Sequence, residues 1–176
     1  VLRSASYRNS VSAPEGTRVP SSATSCLSLE LEYAGSCVNW SALGQSLRVY
    51  LDGESSQVSA IRSALCDQVV ALLVQTSAHG VWAGPYSDKP VLVGFDDDEA
   101  LIPYDERSHP AYRLLTEYFA FPDKFNFVDI PFPTHALQPG GVQADGAVGS
   151  RRLTLHFVLS GTRSDSDQAR LLESIS

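Results

Sequence analysis

The chain has 176 residues and carries 13 Lys+Arg against 20 Asp+Glu, a formal net charge of -7. An acidic chain with two Lys and one adjacent basic pair, Arg151-Arg152, lacks the clustered cations that a phosphate backbone requires, which argues against nucleic acid. At 43% hydrophobic it is not a disordered chain, and its longest aliphatic run, Val69 to Val74, is far short of the ~20 residues that cross a bilayer, so no membrane insertion is expected.

Residues 1–25 are rich in Ser, Pro, Thr and Arg without clear periodicity and read as an extended connecting segment. From Cys26 to Tyr33 apolar and polar residues alternate, with Leu27, Leu29, Leu31 and Tyr33 on one face, which predicts a half-buried strand. Ser46 to Leu51 repeats the pattern with Leu47, Val49 and Leu51 inward. Asp52-Gly53 ends that strand. Ser55 or Ser56 is then placed to cap a helix carrying Val58, Ile61, Leu65, Val69, Leu72 and Leu73 at helical spacing, about five turns ending at His79-Gly80.

Val81 to Ala83 reads as a short strand before a Gly84-Pro85 turn. Val91 to Phe95 and Leu101 to Tyr104 read as a hairpin with the acidic tip Asp96-Asp97-Asp98-Glu99. Ser108 is the expected cap of a second helix, with Pro110 in its first turn and Pro122 as its stop. A strand from Phe125 to Ile130 follows, then a long Gly-rich loop over 133–150. Arg152 to Leu159 alternates again, and Asp165 or Ser166 caps a last helix holding Ala169, Leu171 and Leu172. The expected fold is α+β, with mainly antiparallel strands as a sandwich or open sheet and two to three packed helices. Residues 26–176 form one domain, or two subdomains over 26–104 and 105–176.

The chemistry-bearing residues are sparse. Asp96 to Glu99 lacks the ligand spacing and Gly turn of a calcium loop, so a solvated turn is the favoured reading. Asp105, Glu106 and His109 could pair for acid/base work, but acidic residues near a helix N-terminus already serve its dipole. No Ser or Cys stands in a nucleophile motif and no Gly-rich phosphate loop is present. His79, His109, His135 and His156 are scattered without metal-ligand spacing, and His156 alternates outward on its strand as a surface residue. Catalytic, cofactor and metal sites are therefore not expected. Three Cys without CxxC spacing favour reduced thiols, with a Cys26–Cys37 pairing across a hairpin as the alternative.

Aromatic density is the strongest signal. Tyr112, Tyr118, Phe119, Phe121, Phe125, Phe127 and Phe132 are seven of the fourteen Phe and Tyr. Tyr112, Leu115 and Phe119 have core-like helical spacing, flanked by Leu114 and Tyr118. Phe121-Pro122 with Phe125 and Phe132 could instead face a partner, and the two uses weigh equally.

The stretch from Tyr112 to Phe127, YRLLTEYFAFPDKFNF, together with Pro103-Tyr104, resembles the signature YRLLxEYFxFPxKFxF of the TssF (VasA/ImpG) family, baseplate subunits of the bacterial type VI secretion system. Ala111 and Thr116 depart from it, standing where Gly and Gln are expected. With no Met and Val at position 1, the chain looks like a middle fragment of such a subunit. The resemblance implies a non-enzymatic, cytoplasmic structural protein in a baseplate docked at the inner-membrane complex. Its partners would be TssG, TssK and TssE in wedges that start tail tube and sheath assembly, or another TssF copy. Motif candidates for protein contact are Tyr112, Leu115, Glu117, Tyr118, Phe119, Phe121, Pro122, Lys124, Phe125 and Phe127. Glu117 lies four residues after Arg113 and pairs with it. Lys124 is placed to cap the helix carbonyls. The alternative function is a carbohydrate-binding β-rich module using Trp40, Trp82 and Tyr86.

Overall fold

A computed structural model describes residues 1–34, 40, 44–76, 80–105, 109–133, 151–163 and 165–175. The chain order is β1 (Leu2–Arg8), β2 (Ser25–Glu32), β3 (Ser46–Tyr50), α1 (Ser55–Asp67), β4 (Val69–Gln75), β5 (Ala83–Tyr86), β6 (Val91–Leu92), α2 (Pro110–Ala120), β7 (Phe127–Pro131), β8 (Arg152–Leu159) and α3 (Asp167–Glu173). The fold is α+β. All strand pairs are antiparallel, in a five-stranded sheet β1-β2-β8-β4-β5 and a three-stranded sheet β3-β7-β6.

β8 is the central strand because its inward residues meet apolar partners on both sides. Phe157 lies opposite Leu27 of β2 and Leu72 of β4, and Leu155 opposite Leu29 and Val74. Leu153, Leu155, Phe157 and Leu159 are fully buried. They share one core with Val128 and Ile130 of β7 and with α1 and α3. Ala64 and Leu65 of α1 join Ala169 and Leu172 of α3 in that core, and the Ser166 hydroxyl caps α3 by accepting from the Ala169 amide at 3.2 Å.

Five expectations are corrected. The first helix ends at Asp67, and Val69–Gln75 is strand rather than helix. β4 is covered on both faces: Leu72 and Val74 face the main core, and Ala71 and Leu73 face a second cluster with Val158 and Trp82. A strand buried on both faces is apolar at every position, so it satisfies helical spacing as readily as strand spacing. The N-cap of α1 is Glu54, without a side-chain cap bond, rather than Ser55 or Ser56.

Leu2–Arg8, read as part of a connecting segment, is an edge strand paired with β2. Only Tyr7 in it is buried, so it carries no alternating apolar signal; polar, charged edge strands resist further pairing. The residues after it cross the sheet's outer face, where Val11, Ala13, Val19 and Ala23 pack on the second cluster. The Thr24 amide bonds Leu159 O at 2.8 Å.

Gly84-Pro85 lies inside β5 rather than in a turn. Residues 101–104 form no strand, so the acidic hairpin is replaced by β6, a 3₁₀ turn over Asp97–Glu99 and an irregular return. β6 pairs with β7 instead. The loop expected over 133–150 lies, apart from Pro133, outside the described residues, as does Cys37 of the Cys26–Cys37 pairing. Cys26 and Cys66 are free thiols, and burial pushes both above the usual thiol range.

Candidate protein-contact site

α2 begins at Pro110, whose missing N–H costs nothing in a first turn. Its cap is His109, whose Nδ1 accepts from the Ala111 amide at 3.2 Å; the expected cap, Ser108, lies outside the described residues. Phe121 closes the helix by donating its amide to Glu117 O at 2.7 Å. Pro122 stops it as expected and opens a 3₁₀ turn, Pro122–Asn126, leading into β7. The strand thus starts at Phe127, two residues later than expected.

The helix lies with the opposite face inward from the one its apolar stripe predicts. Arg113 and Glu117 are buried, at 3% and 0% exposure. Tyr112, Leu115, Tyr118 and Phe119 stand in solvent at 70%, 57%, 55% and 78%, and Phe121 at 48%. The core reading of Tyr112, Leu115 and Phe119 is therefore corrected. So is the surface reading of Phe125 and Phe132, both buried beneath the turn and β7; Phe127 is half-buried.

A polar network explains the inversion. One Glu117 oxygen, Oε1, accepts the Leu101 amide at 2.8 Å and the Ile102 amide at 3.1 Å. The other, Oε2, meets Arg113 Nη1 at 3.5 Å and accepts from the Lys124 ammonium. Lys124 therefore bonds Glu117 and not the helix carbonyls. Arg113 Nη2 reaches Phe95 O at 3.3 Å, Asp96 O at 3.4 Å and Asp97 Oδ1 at 3.2 Å, and its guanidinium sits 5.3 Å from the Tyr104 ring centre. Burial pushes the Glu117 carboxyl up, but Lys124 and the two amides outweigh it and hold the group below its ordinary value. The 96–104 segment has no ladder to satisfy its amides, so a buried carboxylate does so, and α2 must turn that carboxylate inward.

The acidic turn belongs to the same corner. Glu99 Oε2 accepts the Gly94 amide at 2.5 Å, and Glu99 Oε1 pairs with Arg48 of β3 at 3.2 Å. Arg48 also grips Asp129 of β7 bidentately, at 2.8 Å twice, and this bond holds the Asp129 carboxyl below its usual range. Gly94 has φ +103°, and a Cβ there would stand 3.2 Å from Lys124 O, so glycine permits the turn to pack on residues 124–125. Arg48 has no sequence signal beyond its outward place between Leu47 and Val49; its position opposite Asp129 is set by the pairing of β3 with β7. Of the acid/base trio, Asp105 and His109 are exposed, His109 serves as a cap, and Glu106 lies outside the described residues.

A second polar cluster lies on the outer face of the five-stranded sheet. His156, expected at the surface, is 6% exposed and stacks on Trp82 at 3.7 Å and 10°. Its Nδ1 lies 2.8 Å from Ser28 Oγ and its Nε2 2.9 Å from Gln75 Oε1. Trp82 covers what alternation alone would leave outside, and the strap over residues 9–24 packs on the cluster that holds Trp82. Burial, then the nearby Arg8, lower the imidazole pKa to about 4. The Ser28–His156–Gln75 chain ties β2, β8 and β4 together through their side chains. Trp40 and Trp82 are buried at 6% and 9% and Tyr86 is half-buried, so they form no open platform for stacking a sugar.

The chain is 33% identical over 94 residues to the type VI secretion system component TssF1 of Pseudomonas aeruginosa, covering 53% of this chain and 15% of that protein. A chain in the cryo-electron microscopy structure of the type VI secretion system TssK-TssF-TssG baseplate subcomplex superposes with a TM-score of 0.67 at 20% identity. That match covers 94% of this chain and 27% of the other, and shows a shared fold. The chain thus spans a minor part of the length of each relative. The family model described as "Type VI secretion system, TssF" matches residues 1–173, and the chain belongs to that family.

Proposed function

We propose that this chain is part of a structural subunit of the type VI secretion baseplate, and that the outward face of α2 is one of its protein-contact surfaces. The partners are TssG and TssK, with which a relative of this fold is assembled. TssE joins them in wedges around the spike that start tube and sheath assembly at the inner-membrane complex. Residues 26–176 act as one α+β domain, and the segment before it contributes an edge strand and a strap. Among the described residues no helix is long and apolar enough to cross a membrane, and no group of three or more His, Cys, Asp or Glu is placed to hold a metal.

The observation that carries the contact surface is the inverted helix. Four large apolar side chains project from a helix whose buried face is fastened by one carboxylate to two amides, a guanidinium and an ammonium. Rigid exposed aromatics lose little freedom on binding and are enriched at interface centres. The test is co-purification of TssG and TssK with full-length protein carrying Leu115→Ser and Phe119→Ser. A folded variant that no longer captures them is the expected result. Unchanged capture removes α2 from the interface.

A further inference from the structure

Resting on that reading of α2, we propose that its ridge receives a surface of a different protein with an apolar centre and a Lys/Arg rim, and not a second copy of this chain. The ridge does not stand in neutral surroundings. Arg113 and Lys124 point inward, with side-chain exposures of 1% and 8%, and Glu117 binds both; Arg48 is half-exposed but is held by Asp129 and Glu99. Asp96, Asp98 and Asp123 point to solvent. The segment from Asp88 to Asp129 holds ten acidic and four basic residues, so it supplies -6 of the chain's -7, and the fold buries Arg113 and Lys124 while Asp96, Asp98 and Asp123 stay exposed.

A cleft of about 540 Å³ at the C-terminal end of the ridge brings the two properties together. Exposed Leu101 and Phe121 line it beside Asp98 and Asp123. Its own cations are engaged, Arg48 by Asp129 and Glu99 and Lys124 by Glu117. The carboxylates of Asp98 and Asp123 have no ion-pair or hydrogen-bond partner among the described residues. An arginine or lysine from a partner fits, with its aliphatic stem on Leu101 and Phe121 and its charge near the two carboxylates. A second copy offers its own acidic rim to this one, and like charges across an interface select against that pairing.

The experiment compares full-length protein with a Phe119→Ser variant and an Asp98→Lys/Asp123→Lys variant. Binding to purified TssG and TssK is measured at low and moderate NaCl, with sedimentation of the unpartnered protein alongside. The charge-reversed protein should bind at least about tenfold more weakly at low salt and lose most of its salt dependence. Both variants should sediment as the parent does. Unchanged affinity and salt dependence in the charge-reversed protein, with binding lost in Phe119→Ser, overturns the basic-rim partner and leaves α2 as the contact. Full binding by Phe119→Ser overturns the contact reading itself. Self-association of the parent that Phe119→Ser abolishes overturns the exclusion of a second copy.

Discussion

The two longer helices treat their apolar residues in opposite ways. α1 is a modestly apolar segment, SSQVSAIRSALCD, yet Val58, Ala60, Ala64 and Leu65 all point into the core. α2, PAYRLLTEYFA, is richer in large apolar groups, yet it buries Arg113 and Glu117 and leaves its aromatics in water. The difference lies in what each helix covers. α1 lies over sheet faces whose backbone is already hydrogen-bonded in ladders, so burying apolar area is all that is asked of it. α2 lies over a ladderless segment with free amides and carbonyls, where an unpaired buried donor costs about 1–3 kcal/mol. There the polar face is the one that fits.

The sharpest way to break this contrast is to remove the carboxylate. In Glu117→Ala the Arg113 and Lys124 charges stay buried without their anion, and the Leu101 and Ile102 amides lose their acceptor. Breaking a buried ion pair from one side costs about 3–5 kcal/mol. Urea denaturation should show that loss; a loss below about 1 kcal/mol would mean α2 is not held by its polar face. On α1 the matching change is Leu65→Ala. Leu65 is 2% exposed among core side chains, and its truncation should cost about 3 kcal/mol, within the usual range for buried leucines. If Leu65→Ala proved harmless, the description of α1 as the apolar anchor would fail.

Acid provides a third test, of the strap side of the five-stranded sheet. His156 titrates near 4 when folded, against about 6.5 when unfolded. Between these values the unfolded chain binds more protons, so stability falls as the pH drops from about 6.5 toward 4 and is whole above that window. The loss from this residue between pH 7 and pH 5 should be about 2 kcal/mol. His156→Gln should flatten the pH dependence over that interval. Glu117 and Asp129, whose carboxyls are held low, weaken the fold only as the pH falls below the ordinary carboxylate range, so the windows separate.

Much of the sheet architecture is legible in the sequence because a strand covered on one face must alternate. β2 and β3 stand where Leu27–Leu31 and Leu47–Val49 place them. β8 stands where Leu153–Leu159 places it, because Thr154 and His156 keep the alternation although His156 and Val158 on its other face are buried too. Strands without an alternating pattern are the ones the sequence does not show. β4 is covered on both faces and shows no alternation. β1 is an exposed edge with one buried side chain. At the candidate site the ends of α2 and the pairing of Arg113 with Glu117 are readable from Pro110, Pro122 and the four-residue spacing. The inward direction of that pair is not, because it is set by amides of residues 101–102 that have no sequence signature. The same holds for His156, whose ring is covered by Trp82, itself packed against a Ser- and Pro-rich strap that shows no periodicity.

The smallest expected effect bears most directly on the comparison. Phe119 is the most exposed large side chain of α2, at 78%, touching chiefly Tyr118 at a ring-centre distance of 5.7 Å. Its side chain contributes little to the core, so Phe119→Ser should change folding stability by no more than about 0.5 kcal/mol, as surface substitutions do. A phenylalanine serving the fold would cost about 3–5 kcal/mol on truncation, so thermal melting of the variant separates the two cases cleanly. A near-zero shift means that the ring is held out in water by a helix anchored through its other face. A loss of several kcal/mol means that the ridge packs against part of the same protein, and α2 then becomes a second α1 with its apolar stripe buried after all.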